Sequence, residues 1–297
     1  MRRKALIILL VGLPLMVFFS LPDLYAGNPG TAGLQFLQIA PGARPTGMGE
    51  AFCAISDDSN AIFWNPAGLS QIQKKEVSFL YNQWIENIQL SYLTLVIPFE
   101  SNVIGISVEY LSIGDIQGRD EYGNTTNVFS PYDLSAGISF SKPVSSNMLL
   151  GAAFKAITEA NDNVQSSGFA VDLSALYFCG IKKNIALGLN IQNLGPEMTY
   201  AHETVPLPLN IKIGASYKPN DTLALAYDIN QPNDAGTKMN MGAELLSLKP
   251  LIIRAGYGIG YDLPASYAGI GLVLNNLKLD YGFRTTGSHQ ISLSASF

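Results

Sequence analysis

The sequence predicts an all-β fold: a transmembrane antiparallel β-barrel of about fourteen strands with an amino-terminal hatch in its lumen. Three observations predict it. The last eight residues alternate strictly between apolar and polar and end on Phe297, and a period of two residues indicates a strand. Charged residues make up only 14% of the chain, against about 25% in ordinary soluble domains. From Glu76 onward, short alternating segments follow one another between turn signals. This combination is typical of an outer-membrane barrel.

The amino terminus has the pattern of a secretory signal peptide, which we place at residues 1–26. A basic start precedes an apolar run over 5–21, and Ala26 offers a small residue for cleavage. An uncleaved anchor is the alternative, because the run is about the minimum length for a spanning helix. Pro14 and Ala26 favour cleavage.

The alternating segments give the strand count and the orientation. They lie near 76–84, 87–98, 102–114, 131–142, 147–158, 167–178, 183–194, 207–218, 222–231, 236–246, 250–260, 265–274, 276–286 and 288–297. With an even number of strands, the first strand begins and the last strand ends on the same side of the membrane, the periplasmic side, and the outside loops are the longer ones. The tight connections include 98–101 and 218–221, and the alternate set contains the long loops 115–130 and 195–206. We therefore expect these two loops on the outside.

Fourteen strands enclose a lumen that small side chains cannot fill. Eight strands give a packed interior and sixteen to eighteen an aqueous channel, and the inward positions here are mostly Ala, Gly and Ser. Residues 27–75 lack the alternation and are too few for a core of their own. We therefore expect 27–75 to be a lumenal hatch and 76–297 to be the barrel. Inward charges are expected to pair with each other, the hatch or water: Glu109, Asp172, Lys212, Asp228, Arg254, Asp280 and Arg284.

The hatch segment carries a distinctive set of motifs. Gly-Ala-Arg-Pro-Thr-Gly-Met-Gly-Glu-Ala spans 42–51, two aspartates stand at 57–58, and Trp-Asn-Pro-Ala-Gly-Leu spans 64–69. Together they resemble the amino-terminal signature of the PorV/PorQ family, in the superfamily of the FadL long-chain fatty-acid transporters. The resemblance covers the whole mature chain and implies a hatch or gating role for Gly42, Arg44, Gly47, Met48, Gly49, Asp57, Asp58, Trp64, Asn65, Pro66 and Ala67.

These residues also have ordinary structural interpretations. Pro66 fixes its own φ and biases Asn65 away from helix. The aspartates can cap the helical turn that follows, bind a lumenal Lys or Arg, or form a Ca²⁺ site. Gly47 and Gly49 permit close approach to the barrel wall. Gly256, Gly258 and Gly260 would make a glycine face for the hatch or a ligand.

The resemblance implies a non-enzymatic, PorV-like partner protein of type IX secretion, which receives secreted client proteins in the outer membrane of a Gram-negative-type bacterium. The alternative is a FadL-like passive transporter of hydrophobic small molecules such as fatty acids. Catalysis has little support. The histidines, His202 and His289, lie in or next to predicted outside connections without a cysteine at metal spacing. No Gly-x-Ser-x-Gly elbow is present. We expect no cofactor and no metal.

Partners follow from the same reasoning. Outer-membrane lipid would cover the barrel. The terminal aromatic, Phe297, resembles the signal that the barrel-assembly machinery reads in bacterial outer-membrane proteins. A net charge of −5 argues against nucleic acid. Four residues around the second long loop give it an apolar, adaptable surface: Met198, Tyr200, Val205 and Leu207. This surface would contact hydrophobic ligands, secreted clients or secretion-system subunits, or else these residues pack over the barrel mouth. Cys53 and Cys179 are expected to be free, buried thiols, with a disulfide as the alternative.

Overall fold

The computed structural model describes residues 30–84, 88–200, 203–248 and 250–297. The predicted signal peptide, residues 1–26, lies outside this part of the chain. The described strands are β1 Glu76–Gln83, β2 Gln89–Phe99, β3 Asn102–Ser112, β4 Ile116–Arg119, β5 Thr125–Phe129, β6 Tyr132–Pro143, β7 Met148–Asn161, β8 Val164–Cys179, β9 Ile185–Leu194, β10 Met198–Tyr200, β11 Glu203–Val205, β12 Asn210–Asn220, β13 Leu223–Pro232, β14 Lys238–Leu248, β15 Leu251–Ile259, β16 Ala265–Leu274, β17 Leu277–Arg284 and β18 Ser288–Ser296.

Fourteen of these strands close into an antiparallel barrel. Their order is β1-β18-β17-β16-β15-β14-β13-β12-β9-β8-β7-β6-β3-β2, and the ring closes where Glu76 of β1 pairs with Ser296 of β18. The barrel prediction is confirmed, and every one of the fourteen strands begins and ends within three residues of its predicted segment. We call the end where β1 begins and β18 ends the base, and the opposite end the mouth.

The two long mouth connections contain short hairpins. β4 pairs with β5 inside loop 115–130, and β10 pairs with β11 inside loop 195–206. The two long connections were predicted from the sequence, but the hairpins inside them were not. Strands of three to five residues are too short for a period of two to stand out. Tyr122, which is 83% exposed, lies in the turn at the tip of the first hairpin.

The outer face of the barrel is apolar. Leu293 of β18 pairs with Phe79 of β1 and Leu279 of β17, and Phe79 pairs in turn with Leu93 of β2. All four side chains are exposed, so they form a continuous apolar row across four strands. Such a band is what the lipid-facing side of a membrane barrel requires.

Placing a charge in this row tests its contact with lipid. We expect Leu293→Arg to lower the free energy of unfolding by about 2–4 kcal/mol if the position lies near the bilayer midplane, because lipid solvates a guanidinium poorly. Leu293→Met is the matched control. Denaturant titrations of vesicle-inserted protein measure the difference, and equal stability of the two variants would argue against lipid contact.

The inner face is made of small and polar side chains, and the amino-terminal segment packs against it. This segment contains a 3₁₀ helix at Gln35–Gln38, α-helical turns at Ala43–Gly47 and Ala61–Trp64, and a 3₁₀ helix at Pro66–Gln71. At the base, the Phe297 N–H donates to the Lys75 carbonyl at 2.9 Å and the Lys75 N–H donates to the Phe297 carbonyl at 3.1 Å. In the described chain, no helix is long and apolar enough for a membrane span.

Three smaller expectations concern the two cysteines, the glycine face of β15 and the terminal phenylalanine. Cys53 and Cys179 are free thiols, but only Cys53 is buried and Cys179 is half-buried. Gly260 does not belong to the glycine face of β15, because it lies beyond the strand end in the left-handed region with φ +86°. The assembly role of Phe297, which is 65% exposed, stays a prediction.

Candidate functional site

The segment from Ala43 to Leu69 follows the inner wall strand by strand. It does so at wall glycines, where its backbone or side chains occupy the space that a Cβ would fill. The pairs are Ala43 with Gly282 of β17, Gly47 with Gly269 of β16, Gly49 with Gly256 of β15, Met48 with Gly242 of β14, Cys53 with Gly214 of β12 and Gly188 of β9, Ala67 with Gly151 of β7, and both Ile62 and Leu69 with Gly105 of β3. We call these eight wall positions the glycine ring.

At the glycine ring, the main chain of the amino-terminal segment lies closer to the main chain of the wall strands than a residue with a Cβ would allow. A Cβ at Gly242 would overlap the Met48 carbonyl, and a Cβ at Gly256 would overlap the backbone of Gly49. Gly242 and Gly256 are register partners on adjacent strands, so they form one depression in the wall. Gly49 itself has φ +67°, which favours glycine.

Arg44 connects the segment to the wall through a buried charge network. Its Nε and Nη2 donate to Glu244 of β14 at 2.9 and 2.8 Å. Arg254 of β15 donates from Nε to the same carboxylate at 2.6 Å and from Nη1 to Asp280 of β17 at 2.8 Å. Arg254 and Glu244 are at most 2% exposed. Buried charges need partners of this kind because desolvation is costly.

The two aspartates of the segment pair with cations, and one also supports a turn. Arg44 Nη1 binds Asp57 at 2.7 Å and Asp58 at 2.8 Å. From the wall, Lys218 binds Asp57 at 2.8 Å and Lys278 lies 3.7 Å from Asp58. Asp58 also accepts the Asn60 N–H at 3.1 Å. The ion-pair interpretation therefore agrees with these contacts, whereas the helical turn Ala61–Trp64 has Asn60 at its N-cap and no side-chain cap bond. No group of three or more potential metal ligands is found among the described residues.

The charge of Asp57 makes this contact sensitive to acid. Burial raises the pKa of its carboxyl, but the charges of Arg44 and Lys218 outweigh burial and lower the pKa from 3.8 to about 2. A lowered pKa stabilises the fold above the unfolded value, and the gain is lost as pH falls through the folded value.

We therefore expect the stability of the protein to fall between about pH 4 and pH 2. Loss of this contribution should amount to roughly 2 kcal/mol. Denaturant unfolding of the wild type and Asp57→Asn at successive pH values measures it. The variant should be less stable near neutrality, with a shallower loss in that window. Parallel pH curves for the two proteins would contradict the assignment.

The Trp-Asn-Pro-Ala string fixes the chain where it turns back along the wall. Asn65 Nδ2 donates to the Cys53 carbonyl at 2.8 Å and to the Ala175 carbonyl at 3.1 Å, and its Oδ1 accepts the Ala67 N–H at 3.2 Å. Pro66 opens the 3₁₀ helix, a position where its missing N–H costs nothing. Trp64 is buried and donates to the Pro41 carbonyl at 2.9 Å.

A cavity of about 790 Å³ lies on the mouth side of the barrel. The amino-terminal segment lines it with residues 34–40, which are mostly apolar, and with Glu50, Phe63 and Trp64. The rest of its lining is largely polar and comes from the mouth ends of the strands, including Asp133, Glu159, Gln192, Asn210, Lys212, Asn230, Lys238, Arg284 and Gln290.

The four loop residues predicted as contacts lie against the amino-terminal segment. Met198 and Leu207 are buried in one cluster with Leu34, Phe36 and Leu37, and Tyr200 packs on its edge. Val205 fills the space beside Gly33. They therefore pack over the barrel mouth in the described chain, and their role as contacts for other molecules stays a prediction.

Comparison with known structures finds the same β-barrel fold in several solved proteins. The toluene transporter TbuX of Ralstonia pickettii matches with a TM-score of 0.64 and 14% identity, over 87% of this chain and 98% of that one. The toluene transporter TodX of Pseudomonas putida gives 0.64 and 13%, over 93% and 99%. A FadL homologue of Pseudomonas aeruginosa gives 0.51 and 11%, over 85% and 97%. At these identities the likeness concerns the fold alone.

The family of the protein is identified from its sequence. The family model described as "Type IX secretion system protein PorV" matches residues 27–231, more than half of the chain. The chain belongs to the PorV family, as its motifs predicted. No curated protein sequence matches it significantly.

Proposed function

We propose that this protein is a non-enzymatic outer-membrane component of a type IX-like secretion pathway that receives secreted client proteins. The PorV family match over 27–231 carries this proposal. Its partners would be secretion-system subunits and the clients themselves, met at the mouth where β4–β5 and β10–β11 lie.

The proposal includes a hatch made of residues 27–75. The contacts of 43–69 with the glycine ring support it, as do the ion pairs of Arg44 and Asp57 with wall residues. Gly42, Met48, Trp64, Asn65, Pro66 and Ala67 would hold this hatch in shape. In this state the barrel serves as a platform at the outer membrane and is closed to diffusion.

The FadL-like alternative, passive transport of hydrophobic small molecules, has weaker support from the site. The structural likeness to proteins named toluene transporters is a likeness of fold. The mouth cavity is lined by several charged groups and amides as well as by apolar side chains such as Leu34, Phe36 and Trp64. An apolar molecule on this route would have to displace water from the polar groups without replacing its hydrogen bonds.

Deleting the gene in its own host tests the two functions against each other. We expect secreted proteins to be lost from the cell surface and medium and to accumulate in the periplasm, while uptake of labelled fatty acid or toluene stays unchanged. The intact chain should restore secretion. Normal secretion with lost uptake would replace the proposal by the transport function.

Cysteine labelling tests the orientation on which the proposal depends. In a Cys179→Ser background, Asn124→Cys and Glu203→Cys at the mouth should react with an impermeant thiol reagent on whole cells. Asn220→Cys at the base should react only after the outer membrane is breached. The reverse pattern would place the mouth in the periplasm and remove the surface from contact with exported clients.

A further inference from the structure

The mouth cavity contains two buried charges of opposite sign that no residue of the described chain neutralises directly. Lys212 of β12 is 5% exposed and Asp133 of β6 is 9% exposed, and both line the cavity. An unpaired buried charge is costly, so each is a place where a ligand of opposite charge would gain binding energy.

Lys212 is a cation with aromatic neighbours and no bound carboxylate. Its Nζ lies 4.2 Å from the ring centroid of Trp64 and 5.0 Å from that of Phe63. Within the described chain it takes part in none of the ion pairs. Asp228, on the adjacent strand β13, instead accepts the N–H groups of Phe52 and Cys53 at 2.8 Å. The ammonium group is therefore available to an anionic group in the cavity.

Asp133 has the opposite environment. Its register partner on β7 is Glu159, which also lines the cavity and accepts the Tyr200 hydroxyl. Two carboxylates directly opposite each other on neighbouring strands repel, and none of the ion pairs in the described chain includes either of them. This side of the cavity therefore attracts a cationic group.

The two charges cannot neutralise each other within the wall. β6 and β12 are separated by β7, β8 and β9 in the barrel. Of the other two cations of the cavity, Arg284 lies 3.4 Å from Glu50. Lys238 is only half-buried and lies over the Tyr261 ring at 5.3 Å. At about 790 Å³, the cavity has the size of a small-ligand site, roughly 300–1,000 Å³.

We propose that this cavity binds a small zwitterionic ligand, whose anionic group pairs with Lys212 and whose ammonium group pairs with Asp133 and Glu159. Free peptides and amino acids carry this pair of charges, and so does the phosphoethanolamine headgroup of a lipid. The proposal does not depend on the secretion role.

Calorimetric titration of the purified full-length barrel in a zwitterion-free detergent tests the proposal. The probes are glycine, diglycine, triglycine and phosphoethanolamine, with N-acetylated and carboxy-amidated forms of each peptide. We expect one of the three lengths, glycine, diglycine or triglycine, to bind with the highest affinity. N-acetylation or carboxy-amidation of that probe should each weaken its affinity about tenfold, because each removes a hydrogen bond to a charged group. Phosphoethanolamine binding more tightly than every peptide would identify a lipid headgroup as the source; tighter peptide binding would identify a free peptide.

Three variants test which residue binds the carboxylate of the ligand and which binds its amine. Lys212→Met should abolish the effect of blocking the carboxylate, and Asp133→Asn should weaken the effect of blocking the amine. Lys238→Met, which removes another cavity cation, is the matched control and should retain both effects. Band shift on heating in electrophoresis verifies that each variant is folded. Equal binding of blocked and unblocked probes, no binding of any probe, or a loss confined to Lys238→Met would overturn the proposal.

Discussion

A barrel without residues 28–70 should conduct ions strongly in planar bilayers, whereas the intact protein should conduct poorly. Fourteen strands enclose more space than the inward side chains fill, and buried side chains such as Phe52, Trp64 and Met48 occupy that space. Single-channel recordings of the two proteins, both refolded and heat-modifiable, measure the difference. A folded truncation that conducts no better than the intact chain would exclude the hatch.

A point variant tests the same contact without removing the segment. Gly256→Val puts side-chain atoms where the Gly49 backbone lies, so we expect frequent openings or a raised baseline conductance. Ala255→Val is the matched control, because Ala255 is the outward-facing neighbour on the same strand and is exposed. If both variants stay closed, the glycine ring does not hold the segment in place.

The second large effect should come from Glu244. Glu244→Gln removes the charge between two guanidinium groups, those of Arg44 and Arg254, in a site that is almost fully buried. Breaking a buried ion pair at one partner costs about 3–5 kcal/mol, so we expect the unfolding free energy in vesicles to fall by that amount. Glu197→Gln, an exposed change of the same kind, should have almost no effect. A loss below about 1 kcal/mol for Glu244→Gln would show that water or another group replaces the carboxylate.

The strands were predictable because the wall has two unlike faces. Lipid on one side and a crowded lumen on the other impose a period of two over eight or more residues in every barrel strand, as in β16, whose burial alternates along its length. The short hairpins lie beyond the wall, where no such constraint acts, and sequence analysis missed them.

The site was predictable only in part. The motif residues of the segment were found, and the inward positions of Arg254 and Asp280 followed from alternation. Glu244 was missed, although it alternates inward with Gly242 and the same rule would have found it. The partners of Arg44 and Asp57 were not predictable, because ring closure brings together residues about 160 to 200 positions apart and periodicity does not encode such pairs.

The path of the amino-terminal segment also determines when it can reach its final place. The contacts of Ala43 go to Ser292 of β18 and Gly282 of β17, which are the last strands to be synthesised. Later residues of the segment contact earlier strands, ending with Leu69 at β3. Contacts of such long sequence separation slow folding. Residues 43–49 are synthesised before every wall strand, so they cannot make these contacts until β14–β18 have been made.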